Sequence, residues 1–172
     1  MSRNQKDRKL DVPNPKIRVS GEKGSQQNVL RGELYANAFE HINKAYKQGF
    51  YIECIAMLDS MITDRLESYC QYLSHNDDKQ FSANSVFDAI RNVGAMTKEK
   101  GVRDDEFKII HDKIEEWSSK RNSAIHSFVI VREYNLKDDT EKRMSYIKEV
   151  ADLGLELVRE VMKYTRTRID LK

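Results

Sequence analysis

An all-α fold, an up-and-down bundle of four or five helices, is predicted by three observations in this chain of 172 residues. Apolar residues recur every three or four positions along successive stretches, the period of a helix with one buried face. Charged residues make up 34% of the sequence, enough to solvate the opposite faces. Only two prolines and seven glycines interrupt it, and both prolines fall near the start. A chain of this length supports one domain with a proper core, with a tail in front of it.

Residues 1–28 carry Arg3, Lys6, Arg8, Lys9, Lys16, Arg18 and Lys23, both prolines (Pro13 and Pro15) and almost no large apolar side chain. Such a segment buries too little to offset the entropy of ordering, so it is expected to be a flexible basic arm. The bundle domain is expected over 29–172. Its first helix runs from Val29 to Gln48, with Leu30, Leu34, Ala38, Ile42 and Ala45 on the apolar stripe and Gly49 as the stop. The second, from Tyr51 to Leu73, places Ile55, Leu58, Ile62, Leu66, Tyr69 and Leu73 on one face. Its polar members Glu53, Asp59, Asp64 and Arg65 are of the kind that pair within a helix. His75 to Asp78 reads as a turn, after which Ser82 or Asn84 caps a shorter helix through Val86, Ile90 and Val93, ending at Gly94. Lys98 to Asp104 is then a polar connection. The fourth helix opens at Asp104 or Asp105, carboxylates suited to a helix N-terminus, and uses Phe107, Ile110, Ile114, Trp117, Ala124 and Phe128. The β-branched run Val129-Ile130-Val131 weakens it, so it should end by Tyr134 or Asn135. The last helix, from Asp138 to Thr165, buries Met144, Ile147, Val150, Ala151, Leu155, Val158 and Met162.

The formal net charge is +2, so the chain as a whole is no strongly basic nucleic-acid binder and the placement of charge must decide. Cys54 and Cys70 lie sixteen residues apart on one predicted helix, too far for a disulfide and at no zinc spacing, so they read as buried thiols in a reducing compartment. No run approaches the roughly 18 apolar residues of a membrane span, and no secretory leader is evident, which predicts a cytoplasmic protein with no membrane partner. His41, His75 and His111 fit no metal-ligand spacing and read as surface histidines; no metal and no cofactor is expected. Glu115 and Glu116 beside Lys113 read as a solvated face. No glycine-rich phosphate loop, no nucleophile elbow and no internal repeat is present, which excludes P-loop nucleotide hydrolysis.

The chemistry concentrates in Arg121-Asn122-Ser123-Ala124-Ile125-His126. Arg121 falls on the inward stripe, four residues after Trp117 and three before Ala124, so it points inward or along an interface. A cation, an amide and an imidazole beside a core cost several kcal/mol unless partnered. Arg121 and His126, five apart, diverge by roughly 140° on an ideal helix, so one unbroken helix aims them at different points. Asn122 and His126, four apart, share a face, where the amide can orient the imidazole or hold a phosphate oxygen.

This arginine, asparagine and histidine, spaced R-x4-H on a late helix of an all-α chain, resemble the motif of the HEPN superfamily (higher eukaryotes and prokaryotes nucleotide-binding). The resemblance covers about 29–165 in architecture and a handful of positions in motif. It implies a metal-independent endoribonuclease acting as a homodimer whose two motifs meet in one composite site. In that reading His126 is the general base or acid and Arg121 the phosphate clamp, with Asn122 beside them and a 2′,3′-cyclic phosphate as product. The substrate would be tRNA, mRNA or another single-stranded RNA, and the context a toxin or anti-phage effector, under an antitoxin or regulatory protein. Some relatives carry a tyrosine two residues after the histidine as a modification site; Phe128 stands there in this chain, against that form of control. The alternative is a catalytically silent helical module that binds RNA, nucleotide or a protein partner, in which Arg121 simply pairs with Asp59 or Glu53 of the second helix.

Overall fold

Five helices and no strand make up the described residues of the computed structural model, which are 26–74, 82–101, 105–129 and 136–170. They are α1 (Gln26–Gln48), α2 (Tyr51–Ser74), α3 (Val86–Glu99), α4 (Asp105–Val129) and α5 (Leu136–Asp170). The fold is all-α, as the periodicity predicts. Of the expected arm over 1–28, residues 26–28 belong to α1 and residues 1–25 lie outside the described residues, as do the 75–81 connection with its expected turn and residues 130–135.

α2 is the centre. It touches each of the other four helices, and its Ile55, Leu58, Ile62 and Leu66 are completely buried. α1 and α2 form a hairpin closed by Gly49, whose φ of 80° is open to a residue without Cβ. The Phe50 amide reaches back to the Ala45 carbonyl at 2.9 Å, satisfying the end of α1. At that end the Tyr46 hydroxyl donates to Asp152 of α5 at 2.5 Å, and Lys148 lies over the Tyr46 ring.

α4 is locked against α5 by Trp117. Its indole Nε1 donates to the Val150 carbonyl at 2.9 Å, and its ring lies on Gly154, where a Cβ would come within 2.9 Å of Cζ2 and Nε1. Gly154 is therefore a notch, and the notch sets the register of α4.

Several elements depart from expectation. Leu30 and Leu34 are 56% and 58% exposed, and the buried stripe of α1 is Tyr35, Phe39 and Ile42. α1 contacts α2 alone among the helices at backbone level, so its large aromatic residues take the one available seam. α3 does not end at Gly94. It continues to Glu99 and closes at Gly101 with a φ of 64°, because Gly94 faces Phe107 of α4 and is held in the helix by packing. The cap is Ser85, not Ser82 or Asn84: its hydroxyl accepts from the Asp88 amide at 3.2 Å. Lys98 and Glu99 accordingly belong to α3 and not to the connection. α5 starts at Leu136 and runs to Asp170, longer at both ends than its apolar stripe.

The polar residues of α2 do not pair among themselves as expected. Asp59 turns to α4, and Asp64 accepts from the Tyr35 hydroxyl at 2.7 Å and from Arg31 at 3.5 Å. Arg65 is fully buried, and none of its three nitrogens finds a hydrogen-bond partner among the described residues. Cys54 and Cys70 are free and buried. No helix among the described residues is long and apolar enough to cross a membrane.

Candidate functional site at the end of α4

One helical turn beyond the Trp117 anchor, the buried stripe of α4 passes through Arg121 before it closes at Ala124, which is completely buried. Arg121 follows that stripe inward, and its side chain keeps 14% exposure. Nη1 donates to Oδ1 of Asp59 on α2. Nε and Nη2 donate to the side-chain amide oxygen Oδ1 of Asn122 at 3.2 and 3.0 Å. The guanidinium is thus held from two sides, by a carboxylate of the neighbouring helix and by the next residue of its own.

Of the two acids considered for Arg121, Asp59 is the partner; Glu53 is exposed at the far end of α2. Burial raises the Asp59 carboxyl above the ordinary aspartate range, and the charge and hydrogen bond of Arg121 pull it back only in part. Desolvation that outweighs attraction marks a pair whose contribution to folding is small.

Asn122 is exposed and gives its oxygen to Arg121, so the expected amide contact with the imidazole is not made among the described residues. His126 is exposed in the last turn of α4. No hydrogen bond or ion pair reaches it from the described residues. The structure therefore brings Arg121 and Asn122 together and leaves His126 on the outer face one turn on from Asn122. Ile125, 37% exposed, and Phe128, 57% exposed, flank it and give this end an apolar rim. The sequence stripe counted Phe128 as core; it is on the surface.

Two residues of α5 that sequence reasoning did not single out brace this end. Arg143 donates to the Ser127 carbonyl at 3.3 Å, and the Tyr146 hydroxyl donates to the Lys120 carbonyl at 3.3 Å. Their signal was present, since 143, 146, 147 and 150 follow the helical period of the Ile147–Val150 core face.

His111, Asp112 and Glu115 bring three donor atoms within 4.8 Å of one another on the solvent face of α4. The imidazole pairs loosely with both carboxylates, at 3.6 and 3.8 Å, and the group lies about 9 to 15 Å along the helix from Arg121 at 1.5 Å per residue. It takes no part in the Arg121 site. Lys113 pairs with Glu160 of α5 and Lys120 with Glu116, and these exposed charges form the solvated surface that the charge pattern predicts.

No family model, curated protein or solved structure matches this chain.

Proposed function

We propose that the chain is a metal-independent endoribonuclease that works as a homodimer, with Arg121 and His126 of two copies around one RNA phosphodiester. The observation that carries this reading is a guanidinium fixed by Asp59 and Asn122 and, further along α4 on the outer face, an imidazole open to solvent on a rim of exposed Ile125 and Phe128. An apolar rim favours contact with another surface, and a second α4 would supply a histidine on the side that one copy leaves empty.

The chemistry follows from the groups. The ribose 2′-oxygen attacks the adjacent phosphorus as one His126 takes its proton. The bond to the 5′-oxygen breaks while the other His126 delivers a proton to it, giving a 2′,3′-cyclic phosphate and a free 5′-hydroxyl. Arg121 stabilises the charge of the five-coordinate transition state; its forked donors suit phosphate oxygens, and Asn122 is the exposed contact a phosphate would displace. Such an activity acting on tRNA, mRNA or other single-stranded RNA fits a cytoplasmic toxin or defence effector held in check by an antitoxin or regulatory partner.

Wild type, Arg121→Ala and His126→Ala are to be incubated in EDTA with tRNA and with single-stranded RNA. Cleavage by wild type alone, with variants that stay helical and lose about 10²- to 10⁴-fold in rate, is the expected result. Intact RNA in all three, with helical stability lost in the variants, overturns it. One observation favours the second reading, a silent module that binds RNA, nucleotide or protein: Arg121 is already engaged by Asp59 and Asn122.

A further inference from the structure

The N-terminal half of α1 and the middle of α2 enclose a groove of about 670 Å³, within the usual range of small-ligand pockets. Its walls are apolar: Leu30, Leu34 and Ala38 on α1 face Met57 and Met61 on α2. Leu30 and Leu34 are exposed, and the groove gives their exposure a use.

One end of the groove is polar and electrically unbalanced. Arg31, Tyr35 and Asp64 line it. Asp64 is shared between the Tyr35 hydroxyl, at 2.7 Å, and Arg31, at a long 3.5 Å. Behind Tyr35 lies Arg65, its guanidinium carbon 5.7 Å from the ring centre, fully buried and without a hydrogen-bond partner among the described residues. Two guanidinium groups thus face one carboxylate that is already divided. Burial pushes the Arg65 guanidinium down to about 10, still charged at neutral pH, and a buried charge without a hydrogen-bond partner is destabilising. The complement of this end is one more negative charge.

From Leu30 to Ala38 the groove runs about 12 Å at 1.5 Å per residue, the reach of a medium-length alkyl chain. We propose that it binds a free, monomeric amphiphile with a carboxylate head, the chain lying along Leu34 and Met57 and the head on Arg31, where the charge of Arg65, without a hydrogen-bond partner among the described residues, reinforces it from below. This site is independent of the RNA chemistry assigned to Arg121 and His126.

Calorimetric titration of the full-length protein with decanoate, decanol and decyltrimethylammonium tests it. Wild type is expected to bind decanoate at least about 10-fold more tightly than decanol, a gap of about 1.4 kcal/mol, and the ammonium more weakly than either. Arg65→Met, which replaces a buried cation by an apolar group of similar length, is expected to fold and to erase the preference for the acid while still taking decanol. Arg31→Gln checks the same preference from the surface. Leu34→Glu, at an exposed position, is expected to lose all three ligands. Equal binding of decanoate and decanol by wild type, an acid preference that survives in both arginine variants, no saturable binding of decanoate, or binding confined to anionic phospholipid vesicles would each overturn the proposal. RNA cleavage by Arg65→Met reports separately on the Arg121 site.

Discussion

Replacing Asp59 and Arg121, singly and together, separates a pair kept for stability from a pair kept for orientation. The two side chains are 25% and 14% exposed, so the pair sits between a surface ion pair, worth about 0–1 kcal/mol, and a buried one, whose rupture costs about 3–5 kcal/mol. Asp59→Leu leaves a mostly buried guanidinium with Asn122 as its remaining partner, a loss of about 1–3 kcal/mol. In a domain of this size that lowers Tm by several degrees, at about 2–4 °C per kcal/mol. The double variant Asp59→Leu/Arg121→Met has no charge to strand and is expected within about 1 kcal/mol of wild type. The cycle, measured by urea unfolding, should therefore show a coupling well above the roughly 0.5 kcal/mol of independent sites. Additive losses would refute the picture of a mutually dependent pair. The pH dependence has a definite sign. Burial raises the Asp59 carboxyl in the folded state, so its contribution is fully present below the unfolded aspartate value, about 3.9, and is lost as pH rises through the raised value. Relative to Asp59→Asn, wild type should lose ground between pH 4 and neutrality; a gain over that window would mean that Arg121 outweighs desolvation.

Three further outcomes test the packing. Gly154→Ala gains about 1 kcal/mol of helix propensity but drives a methyl into the Trp117 indole and Leu58, an overpacking cost of about 1–3 kcal/mol. A lower urea midpoint is expected, with recovery in Gly154→Ala/Trp117→Leu. Ser85→Ala removes the cap that the Asp88 amide uses, and should cost about 1 kcal/mol in chemical denaturation. Burial pushes the Cys54 thiol up to about 11, so native protein at pH 8 should react with a thiol reagent far more slowly than unfolded protein; fast stoichiometric labelling of both cysteines would contradict the core described above.

The helices were legible because each is long and carries one continuous apolar face, and α2 reads most clearly since it is touched by all the others. What misled was a local rule that packing overrode. Gly94 looks like a stop, yet Phe107 holds it inside α3. Leu30 and Leu34 share a helical stripe with Ile42, but Tyr35 and Phe39 bury more surface and rotate α1 toward themselves. At the candidate site, spacing along α4 placed Arg121 on the inward stripe, as found, whereas Asn122 gives its amide oxygen to Arg121 rather than to the imidazole. The choice of Asp59 over Glu53 was beyond the sequence, since it depends on how far α2 and α4 are displaced along each other. That Arg65 finds no hydrogen-bond partner among the described residues was equally hidden, because intrahelical spacing offers partners that the tertiary arrangement draws elsewhere.

The seat of Trp117 on a residue without a side chain has a consequence for how this molecule could diversify. A bulky indole dropped into a single gap works like a key in a ward: α4 cannot slip along α5 by a fraction of a turn without leaving it. The spacing of Arg121 from Asp59 is inherited from the key, so changes in chemistry at this end are open to substitution of side chains and closed to sliding of helices.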